Sequence, residues 1–284
     1  MKKIWICGAY GHLGTALQKL INTGKYELFM TGKEEVDVAS PEQVRMYMQR
    51  NRPDVVINCA AITDLQECMD DPDEAYRVNS LGARNLATEA NYMSCKLIQL
   101  STDDVFSGKE NEPLNEFDYV KPRTIYGKSK LAGEQFILSM TNNFVILRSS
   151  WVYGTGKDYV DQVMRAVKDN VPFRASINQF SSPTSATELA KVVMEFVEND
   201  LNGIYHAVCK GSCSRYELAR EIVKDMGSDI EVVPISEADD CRPVYSVLDN
   251  MMLRLDGVPE PCDWKVALKA YLDTLKQKGG YIIE

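Results

Sequence analysis

The amino-acid sequence predicts an α/β protein built on a doubly wound parallel sheet, and three observations support this prediction. Short apolar segments alternate with amphipathic segments of helical spacing through the first 150 residues. The apolar segments are nearly continuous, as expected for parallel strands that are buried on both faces. A glycine-rich turn follows the first of them. Because right-handed crossovers place helices on both faces of such a sheet, we expect the ligand at the carboxyl ends of the strands.

The first half contains five predicted strands and four predicted helices. The strands are short apolar runs at residues 3–7, 27–31, 54–58, 96–101 and 143–148. The helices lie between them, at residues 11–21, from 40 onward, at 72–92 and at 122–140. The second helix begins with Ser40, Pro41 and Gln43, which supply a hydroxyl cap, a proline at the first helical position and a capping-box partner. Strand and helix therefore alternate as a parallel sheet requires.

The second half has a less regular rhythm. It predicts helices at residues 159–168, 185–199, 214–226 and 264–276, and strands at 203–208 and 231–235. Ser214 and Glu217 are spaced as a capping box. No Gly/Ser-rich linker separates the halves, so we expect a smaller α/β lobe that is interwoven with the larger domain. The larger domain is predicted at residues 1–150 and about 176–208, and the smaller lobe at 151–175 and about 209–284.

Composition and charge exclude several classes of protein. The formal net charge is −9, whereas a nucleic-acid-binding protein needs a basic surface. No apolar run reaches about 18 residues, and the run after the N-terminus ends at Gly8, so neither a membrane span nor a signal peptide is expected. Eight cysteines without a Cys-x-x-Cys pair, and two distant histidines, argue against a metal site. We expect a cytoplasmic protein with reduced thiols, without a nucleic-acid or membrane partner and without a metal.

A turn that contains three glycines joins the first strand to the first helix. Gly8, Gly11 and Gly14 are spaced Gly-x-x-Gly-x-x-Gly, which differs from the commoner Gly-x-Gly-x-x-Gly dinucleotide motif. Glycine permits a tight turn, close approach of backbone N–H groups to a pyrophosphate, and close packing of helix on strand. His12 can supply a further donor. The larger domain is therefore a predicted dinucleotide-binding domain, although a glycine-rich turn without a ligand has the same pattern.

The end of the second strand bears on the choice between NAD and NADP. An acidic residue at this position accepts a hydrogen bond from the adenosine ribose and selects NAD. This strand ends in Thr31, Gly32 and Lys33, and the lysine is available for the 2′-phosphate of NADP. Glu34 and Glu35 follow directly, so NADH remains an alternative. The sequence favours NADPH as the cofactor.

Tyr126 and Lys130 form the candidate catalytic pair. They lie four residues apart in a predicted helix, so they share a face of it. A phenol with a pKa near ~10 transfers protons poorly at neutral pH, and a neighbouring cation lowers that pKa. Thr102 lies at the exit of the fourth strand, so Tyr126 can face Thr102 across a bound cofactor. A phenol and an ammonium group beside a dinucleotide indicate hydride transfer to a carbonyl.

Five further motifs occur in order along the chain. They are Ser-Thr-Asp-x-Val-Phe-x-Gly (101–108), Tyr-Gly-x-x-Lys-Leu-x-Gly-Glu (126–134), Arg-x-Ser-Trp-Val-Tyr-Gly (148–154), Asn-Gln-Phe-Ser-Ser-Pro-Thr (178–184) and Arg-Pro-x-x-Ser-x-Leu (242–248). Together they resemble dTDP-4-dehydrorhamnose reductase, in the extended short-chain dehydrogenase/reductase superfamily. The resemblance implies a Rossmann-like fold and NADPH-dependent reduction of a dTDP-linked 4-keto-6-deoxy sugar, in nucleotide-sugar and cell-surface polysaccharide biosynthesis.

The resemblance also implies roles for individual residues. Tyr126 donates a proton to the substrate oxygen, Lys130 lowers the pKa of Tyr126 and holds the nicotinamide ribose, and Thr102 binds the same carbonyl. The implied cofactor contacts are Gly11, His12 and Leu13 at the pyrophosphate, Asp37 and Val38 near the adenine, and Ala60, Ala61 and Ile62 beside the nicotinamide. The substrate contacts in the smaller lobe and the cleft are Thr102, Asp103, Asp104, Trp151 and Arg242. Core packing for Trp151 and a solvated surface position for Arg242 remain alternatives.

The chain departs from the family pattern near the presumed sugar pocket. The departures are Asp104 for tyrosine, Asn178 for aspartate, Ser181 for glycine, and Asp158-Tyr159 for Asn-Phe. Asp104 adds a carboxylate to the pocket. It also makes the segment from Thr102 to Asp104 similar to the Thr-Asp-Glu arrangement of nucleotide-sugar 4,6-dehydratases, which puts the sugar in question.

Two other functions therefore remain open from the sequence. One is a nucleotide-sugar epimerase or dehydratase that retains NAD, which only Asp104 favours. The other is a non-catalytic NADP-binding regulatory subunit, against which the complete set of Thr102, Tyr126 and Lys130 argues. We expect a nucleotide sugar as the partner molecule, and a monomer or weak homodimer as the assembly.

Overall fold

The computed structural model describes residues 1–108, 111–236 and 242–277. Its strands are β1 (Lys2–Cys7), β2 (Tyr26–Thr31), β3 (Val55–Asn58), β4 (Lys96–Thr102), β5 (Phe144–Ser149), β6 (Val152–Tyr153), β7 (Phe173–Ser176), β8 (Phe180–Ser181), β9 (Thr184–Ser185), β10 (Gly203–His206), β11 (Cys213–Ser214) and β12 (Val232–Ile235). Its helices are α1 (His12–Leu20), α2 (Pro41–Asn51), α3 (Leu65–Asp70), α4 (Pro72–Tyr76), α5 (Gly82–Tyr92), α6 (Ile125–Met140), α7 (Tyr159–Asp169), α8 (Ala186–Glu198), α9 (Arg215–Asp225), α10 (Met251–Leu255) and α11 (Trp264–Gln277). A π-helical turn (Arg77–Leu81) joins α4 to α5, and a 3₁₀ turn (Asp103–Val105) follows β4.

Six strands form a parallel sheet in the order β2-β1-β3-β4-β5-β10. The chain moves from β1 to β2 on one side and then from β3 outward on the other side. The order reverses between β1 and β3, where the register pairs Cys7 with Asn58. Open parallel sheets bind ligands outside the carboxyl ends of the strands at such a point. The predicted doubly wound sheet is confirmed.

Alternate residues of each strand pack on opposite faces of this sheet. Ile4 and Ile6 of β1 join an apolar cluster with α1 and α8 that includes Leu17 and Phe196. Trp5, between them, joins a second cluster with α2, α5 and α6. These five side chains are fully buried, and burial of each stabilises the fold by about 1.5–3 kcal/mol or more for the larger aromatic rings. The two clusters hold helices against both faces and fix the strand ends in place.

A third apolar cluster lies among α7, α9 and α11 and includes Leu218, Ile222 and Leu268. A separate parallel pair, β7 and β12, borders it. The cluster has its own buried residues, distinct from those of the central sheet. The division into a dinucleotide-binding domain (1–150 and about 176–208) and a substrate lobe (151–175 and about 209–284) stays a prediction.

Most predicted elements are found within two residues of their expected bounds, with two exceptions. The helix expected at 122–140 begins at Ile125, because the Thr124 hydroxyl accepts a hydrogen bond from Gly127 N at 2.8 Å and caps it there. The helix expected at 72–92 contains the π-helical turn. The sequence analysis missed α3, α10 and several short strands, which are too short to leave a periodic pattern. The Ser214/Glu217 capping box is confirmed.

None of the helices in the described part of the chain has the length and apolarity needed to span a bilayer. Across the same residues, no group of three or more His, Cys, Asp or Glu side chains is placed to bind a metal ion. Seven cysteines of this part are free, and Cys241 lies outside the described residues.

Candidate active site

A cleft of about 660 Å³ opens beyond the carboxyl ends of β4 and β5. Its walls come from the 3₁₀ turn, the start of α6, the segment after β5, α7 and α9. Its polar and aromatic lining includes His12, Thr102, Asp103, Asp104, Tyr126, Trp151, Arg215 and Arg242. The fold thus brings residues from six distant segments of the chain to one cleft.

The glycine turn between β1 and α1 is built for close backbone approach. Gly8 has φ +68°, and a Cβ there would lie 2.6 Å from Ala60 N. A Cβ at Gly14 would overlap the carbonyl group of Ala9, so α1 packs directly on the turn. Gly11 begins the helix without a side-chain cap, which leaves backbone N–H groups at the helix N-terminus for an anion. This cradle fits the pyrophosphate of a dinucleotide.

Replacement of Gly8 by alanine is expected to lower both stability and dinucleotide affinity. The left-handed conformation costs about 1–2 kcal/mol for a residue with a Cβ, and the overlap with Ala60 adds to that cost. Urea unfolding and a titration with NADPH measure the two effects. Gly227→Ala is the matched control, because Gly227 has φ +67° but no atom within 4 Å of its Cβ position. Equal losses in both variants would show that close approach at Gly8 is unimportant.

His12 and Leu13 lie at the start of α1, as the prediction requires, and each already has a structural role. The Nδ1 of His12 donates to the carbonyl oxygen of Thr155 at 3.0 Å, which ties the glycine turn to the segment after β6. Leu13 is buried in the cluster beneath the sheet. Leu13 can therefore reach a pyrophosphate through its backbone, while His12 borders the cleft with its ring.

The segment after β2 forms a network of charges. Lys33 is largely exposed and its Nζ lies 3.4 Å from Glu74. Arg77 pairs with the same Glu74 and with Asp37, whose Oδ2 lies 2.8 Å from Nη1. Lys33 and Arg77 thus both border the position predicted for the adenosine ribose, whereas the sequence analysis named only Lys33.

Glu35 and Val38 complete this segment. The carboxylate of Glu35 accepts from Gly32 N at 2.7 Å, so an acidic group does lie at the end of β2. Val38 is buried, and its side chain packs against Gly82, where a Cβ would lie only 2.9 Å from Val38 Cγ2. The backbone carbonyl of Val38 accepts a hydrogen bond from Asn85 Nδ2 at 3.1 Å. The acid at β2 keeps NADH open as an alternative cofactor.

The exit of β3 carries Ala60, Ala61 and Ile62 in half-buried positions beside the glycine turn. Asn79 fixes this loop, since its amide accepts from Ile62 N and donates to Ile62 O, each at 2.9 Å. The same Nδ2 lies 3.0 Å from Ser129 Oγ on α6. Asn79 belongs to the π-helical turn, and such turns often occur at functional sites. It therefore joins the predicted nicotinamide loop to the helix that carries Tyr126.

Thr102, Tyr126 and Lys130 converge at the sheet end of the cleft. Thr102 ends β4, and its hydroxyl is a hydrogen-bonding partner of the Tyr126 phenol. Lys130 lies one turn further along α6, is buried, and its Nζ donates to Leu100 O at 2.6 Å. Burial lowers the pKa of Lys130 to about 8, while Glu134 and Cys59 oppose that shift. The lysine therefore stays mostly charged at neutral pH.

A lowered pKa was expected for Tyr126, and the structure gives the opposite direction. The pKa of Tyr126 is raised, first by burial and then by the nearby Asp104 carboxylate. The pKa is raised because the two groups of the pair have different surroundings. The Lys130 ammonium lies near Leu100 O, Glu134 and Cys59, whereas the Tyr126 phenol faces the acidic 3₁₀ turn. A raised pKa keeps the phenol protonated, as a proton donor requires.

Glu134 lies behind Lys130 and forms a buried ion pair. Its carboxylate accepts from Arg148 Nη2 at 2.7 Å and Nε at 3.1 Å, and from Ser101 Oγ at 2.5 Å. All three side chains are buried. The pair joins α6 to β4 and β5, so it fixes the helix that carries the candidate catalytic residues.

Asp103 and Asp104 are adjacent buried carboxyl groups in the 3₁₀ turn. Burial raises the pKa of Asp103, although hydroxyl groups around it oppose the shift. Burial, followed by the charge of Asp103, raises the pKa of Asp104 to about 7. The turn therefore contains a group that titrates close to neutral pH, beside Tyr126.

Trp151 and two arginines form the far side of the cleft. Trp151 has φ +40°, a strained conformation for this residue type, which is common at functional sites. The Arg215 guanidinium lies 3.6 Å from the Trp151 ring centre and 4.5 Å from that of Tyr159. Burial, followed by the charge of the nearby Arg242, lowers the pKa of Arg215 to about 10. Trp151 is half-buried: it lines the cleft and also packs against the third apolar cluster.

Arg215 was missed by the sequence analysis. It occupies the first position of α9, directly after the Ser214 cap. A cation in the first turn opposes the helix dipole, so this placement is a signal that sequence reasoning could have used. Its partners, Trp151 and Tyr159, lie more than fifty residues away in the sequence, which hid the contact.

A family model described as the RmlD substrate binding domain matches residues 1–277. The chain belongs to this family. The spore coat polysaccharide biosynthesis protein SpsK of Bacillus subtilis (strain 168) is 34% identical to this RmlD-family chain over 277 residues, which cover 96% of the chain and 97% of SpsK.

Solved structures agree with this membership. A dTDP-4-dehydrorhamnose reductase from Clostridium acetobutylicum ATCC 824 is 37% identical with a TM-score of 0.94, over 96% of this chain and 99% of that one. A dTDP-4-dehydrorhamnose reductase from Bacillus anthracis str. Ames, solved in complex with NADP, is 34% identical with a TM-score of 0.94, over the same shares. The resemblance inferred from motifs is confirmed, and with it the Rossmann-like fold.

The RmlD-family chain brings most of its predicted site residues together. The glycine turn, the β3 exit and the pair Tyr126 and Lys130 surround the carboxyl ends of β1, β3 and β4. Thr102, Asp103, Asp104, Trp151 and Arg242 line the cleft beside them. Lys33, Asp37 and Val38 lie apart from this cleft, near the end of β2. The individual roles of these residues stay predictions.

Proposed function

We propose that this protein is an NADPH-dependent reductase that converts dTDP-4-dehydrorhamnose to dTDP-rhamnose. The observation that carries the proposal is the convergence of Thr102, Tyr126 and Lys130 at one end of a cleft whose other end carries two guanidinium groups. Relatives at 37% and 34% identity are named dTDP-4-dehydrorhamnose reductase. The name of SpsK supports a place in cell-surface polysaccharide biosynthesis.

The glycine cradle supports dinucleotide binding, because Gly8 and Gly14 allow the β3 exit and α1 to pack directly on the turn, and Gly11 leaves the backbone N–H groups at the start of α1 without a side-chain cap. NADPH is favoured over NADH, since Lys33 and Arg77 can bind a 2′-phosphate and the Bacillus anthracis relative was solved with NADP. NADH remains the alternative because Glu35 lies at the end of β2. When bound, the reduced nicotinamide supplies a hydride to the 4-keto carbon of the sugar.

Tyr126 and Thr102 are the proposed donors to the sugar oxygen. Negative charge develops on that oxygen during reduction, and an alkoxide is a stronger base than a phenolate. Tyr126 therefore retains its proton at rest, because its pKa is raised, and releases it when the alkoxide forms. Lys130 is the proposed contact of the nicotinamide ribose, through the ammonium protons that Leu100 O does not use.

Arg215 and Arg242 are the proposed contacts of the substrate diphosphate. The chain has a net charge of −9, yet it places two guanidinium groups in this cleft. Guanidinium groups bind phosphate oxygens with paired N–H donors. Trp151 offers a ring face for a sugar or base, and Arg215 covers one side of that ring. These features fit a nucleoside diphosphate sugar of limited size.

The direct test follows the absorbance of the reduced nicotinamide when purified protein is mixed with dTDP-4-dehydrorhamnose. We expect oxidation of NADPH with stoichiometric formation of dTDP-rhamnose, and weaker activity with NADH. A UDP-linked 4-keto sugar is the matched control for the nucleotide. No oxidation above background with either reduced cofactor would reject the proposal.

The two alternatives are less well supported. An epimerase or dehydratase that retains NAD would purify with its dinucleotide and give no net oxidation, and the names of the reductase relatives do not favour it. A non-catalytic regulatory subunit has no need for the arrangement of Thr102, Tyr126 and Lys130. The cytoplasmic location and the monomeric or weakly dimeric state stay predictions from the sequence.

A further inference from the structure

Asp103 and Asp104, the two buried carboxyl groups of the 3₁₀ turn, cannot both be ionised easily, so one of them must carry a proton. Asp103 and Asp104 are adjacent in sequence, and each is about 5% exposed. Two carboxylates in a site that excludes water repel each other, so one of the pair holds a proton. The hydrogen-bond partners of the two side chains decide which one it is.

Asp103 has the environment of the ionised partner. The hydroxyl groups of Thr102, Ser181 and Ser246 lie 3.1, 3.2 and 2.5 Å from its carboxylate oxygens. Hydroxyl donors around a carboxylate stabilise its charged form. Ser181 and Ser246 both donate to Oδ2 of Asp103, so that oxygen keeps its donors even when the one hydroxyl proton of Thr102 turns to the sugar oxygen. A proton on Asp103 would displace these hydrogen bonds.

Asp104 has fewer hydroxyl donors and a closer relation to the catalytic helix. Within the described residues, hydrogen bonding to the Thr124 hydroxyl lowers the pKa of Asp104 less than burial and the charge of Asp103 raise it. The same hydroxyl caps α6 by accepting from Gly127 N. A Cβ at Gly127 would overlap the Asp104 carbonyl, so the start of α6 lies directly on this residue. Tyr126 precedes Gly127, and its phenol lines the same cleft as the Asp104 side chain. The two groups are close enough for the Asp104 charge to raise the pKa of Tyr126.

The charges that face Asp104 oppose one another. Burial and the Asp103 charge favour the protonated form of Asp104, whereas the positive charges of Arg242 and Arg215 favour its ionised form. Burial is the largest influence, so a pKa of about 7 results. The titratable and charged groups that face it come from the turn itself, α6, α3, α9 and the segment after residue 241, and they are Asp103, Tyr126, Cys68, Arg215 and Arg242.

We propose that Asp104 holds the proton of the carboxyl pair and returns a proton to Tyr126 after Tyr126 has protonated the sugar oxygen. This inference rests on the proposed reductase function. In the first step the Tyr126 O–H bond breaks as the sugar O–H bond forms. In the second step the Asp104 O–H bond breaks as the Tyr126 O–H bond re-forms, and water in the cleft then protonates Asp104. The hydride comes from the reduced cofactor, and no other reactant is needed.

Asp104→Asn is the test of this relay, because asparagine has the same size but cannot release a proton. Tyr126 still carries its own proton at the start, so we expect the first turnover to proceed near the wild-type rate. Later turnovers depend on reloading, and we expect them to be slower by about 100-fold, the lower end of the range for a positioned acid. Rapid mixing of the enzyme–NADPH complex with the keto sugar should therefore give a burst of one equivalent.

The pH profile adds a readout that a structural role would not change. Wild-type kcat is expected to fall as the pH rises through about 7, where Asp104 loses its proton, and this limb should be absent in Asp104→Asn. Asp104→Glu should restore both the limb and rapid reloading. Asp229→Asn, at an exposed aspartate on the loop after α9, is the matched control with an unchanged profile. A first turnover as slow as the later ones would overturn the relay, because Asp104 would then act by position alone.

Infrared spectroscopy separates this inference from the proposed function. A protonated carboxyl group has a carbonyl band that a carboxylate lacks. We expect this band in the wild type below pH 7 and its loss in Asp104→Asn. In Asp103→Asn the band should persist but appear only at lower pH, because the Asp103 charge no longer raises the pKa of Asp104. The infrared measurement needs no substrate, so it tests the location of the proton independently of the reaction. If the keto sugar did not react, the reductase proposal would be rejected, and the spectrum would still decide whether Asp104 carries the proton. Persistence of the band in Asp104→Asn would overturn the assignment.

Discussion

Tyr126→Phe is expected to lower kcat by roughly 100- to 10,000-fold, which is the contribution of a positioned general acid. The variant loses the hydroxyl proton but keeps the ring that fills its place at the start of α6. Affinity for NADPH should change little, because the glycine turn and Lys130 are untouched. Steady-state kinetics with dTDP-4-dehydrorhamnose and a titration with NADPH measure the two quantities.

Tyr119→Phe is the matched control, since that tyrosine is 83% exposed and lies outside the cleft lining. It should retain wild-type kcat. If Tyr126→Phe retained a kcat within about threefold of wild type, another group would be the general acid. A loss of kcat smaller than roughly 100-fold would be too small for a positioned proton donor. A loss of NADPH affinity equal to the loss of kcat would instead indicate that the tyrosine acts in binding.

Glu134→Leu is expected to lower the free energy of unfolding by about 3–5 kcal/mol, the usual cost of leaving one partner of a buried ion pair uncompensated. Arg148 is 3% exposed, and its Nη1 has no hydrogen-bond partner in the described structure. Loss of the Glu134 carboxylate removes both of the charged contacts that Arg148 makes. Urea denaturation followed by circular dichroism measures the change.

The double variant Glu134→Leu/Arg148→Met provides the control for this prediction. Replacement of a buried ion pair by apolar groups of similar size is often neutral or stabilising, so the double variant should recover most of the lost stability. Recovery would show that the uncompensated charge caused the loss. A double variant as unstable as the single one would attribute the loss to packing of the Glu134 side chain instead.

The central sheet could be predicted because its signals are local. The strand of Ile4 and Ile6 is a short apolar run, and the run alternates with helices whose caps, such as Ser40, are visible in the sequence. Gly8 could be assigned to a tight turn because its position after the first strand restricts the residue types that fit. The shift of the α6 start to Ile125 could not be predicted, because it depends on the Thr124 side chain accepting from Gly127 N.

The site could be predicted only in part. The spacing of Tyr126 and Lys130 placed both on one helix face, and the exit of the fourth strand placed Thr102 opposite them. The resemblance added Asp103 and Trp151. Arg215 was missed because its contact with Trp151 joins segments that are distant in sequence.

The sequence by itself determined the parallel sheet, the glycine turn and the tyrosine–lysine pair, because periodicity, turn chemistry and helical spacing act over a few neighbouring residues. Only the tertiary structure decided which charges face Tyr126. It places the Lys130 ammonium against Leu100 O and an acidic turn beside the phenol, which reverses the expected direction of the Tyr126 pKa. Burial and through-space charge set that pKa, and both depend on groups that the fold gathers from distant parts of the chain.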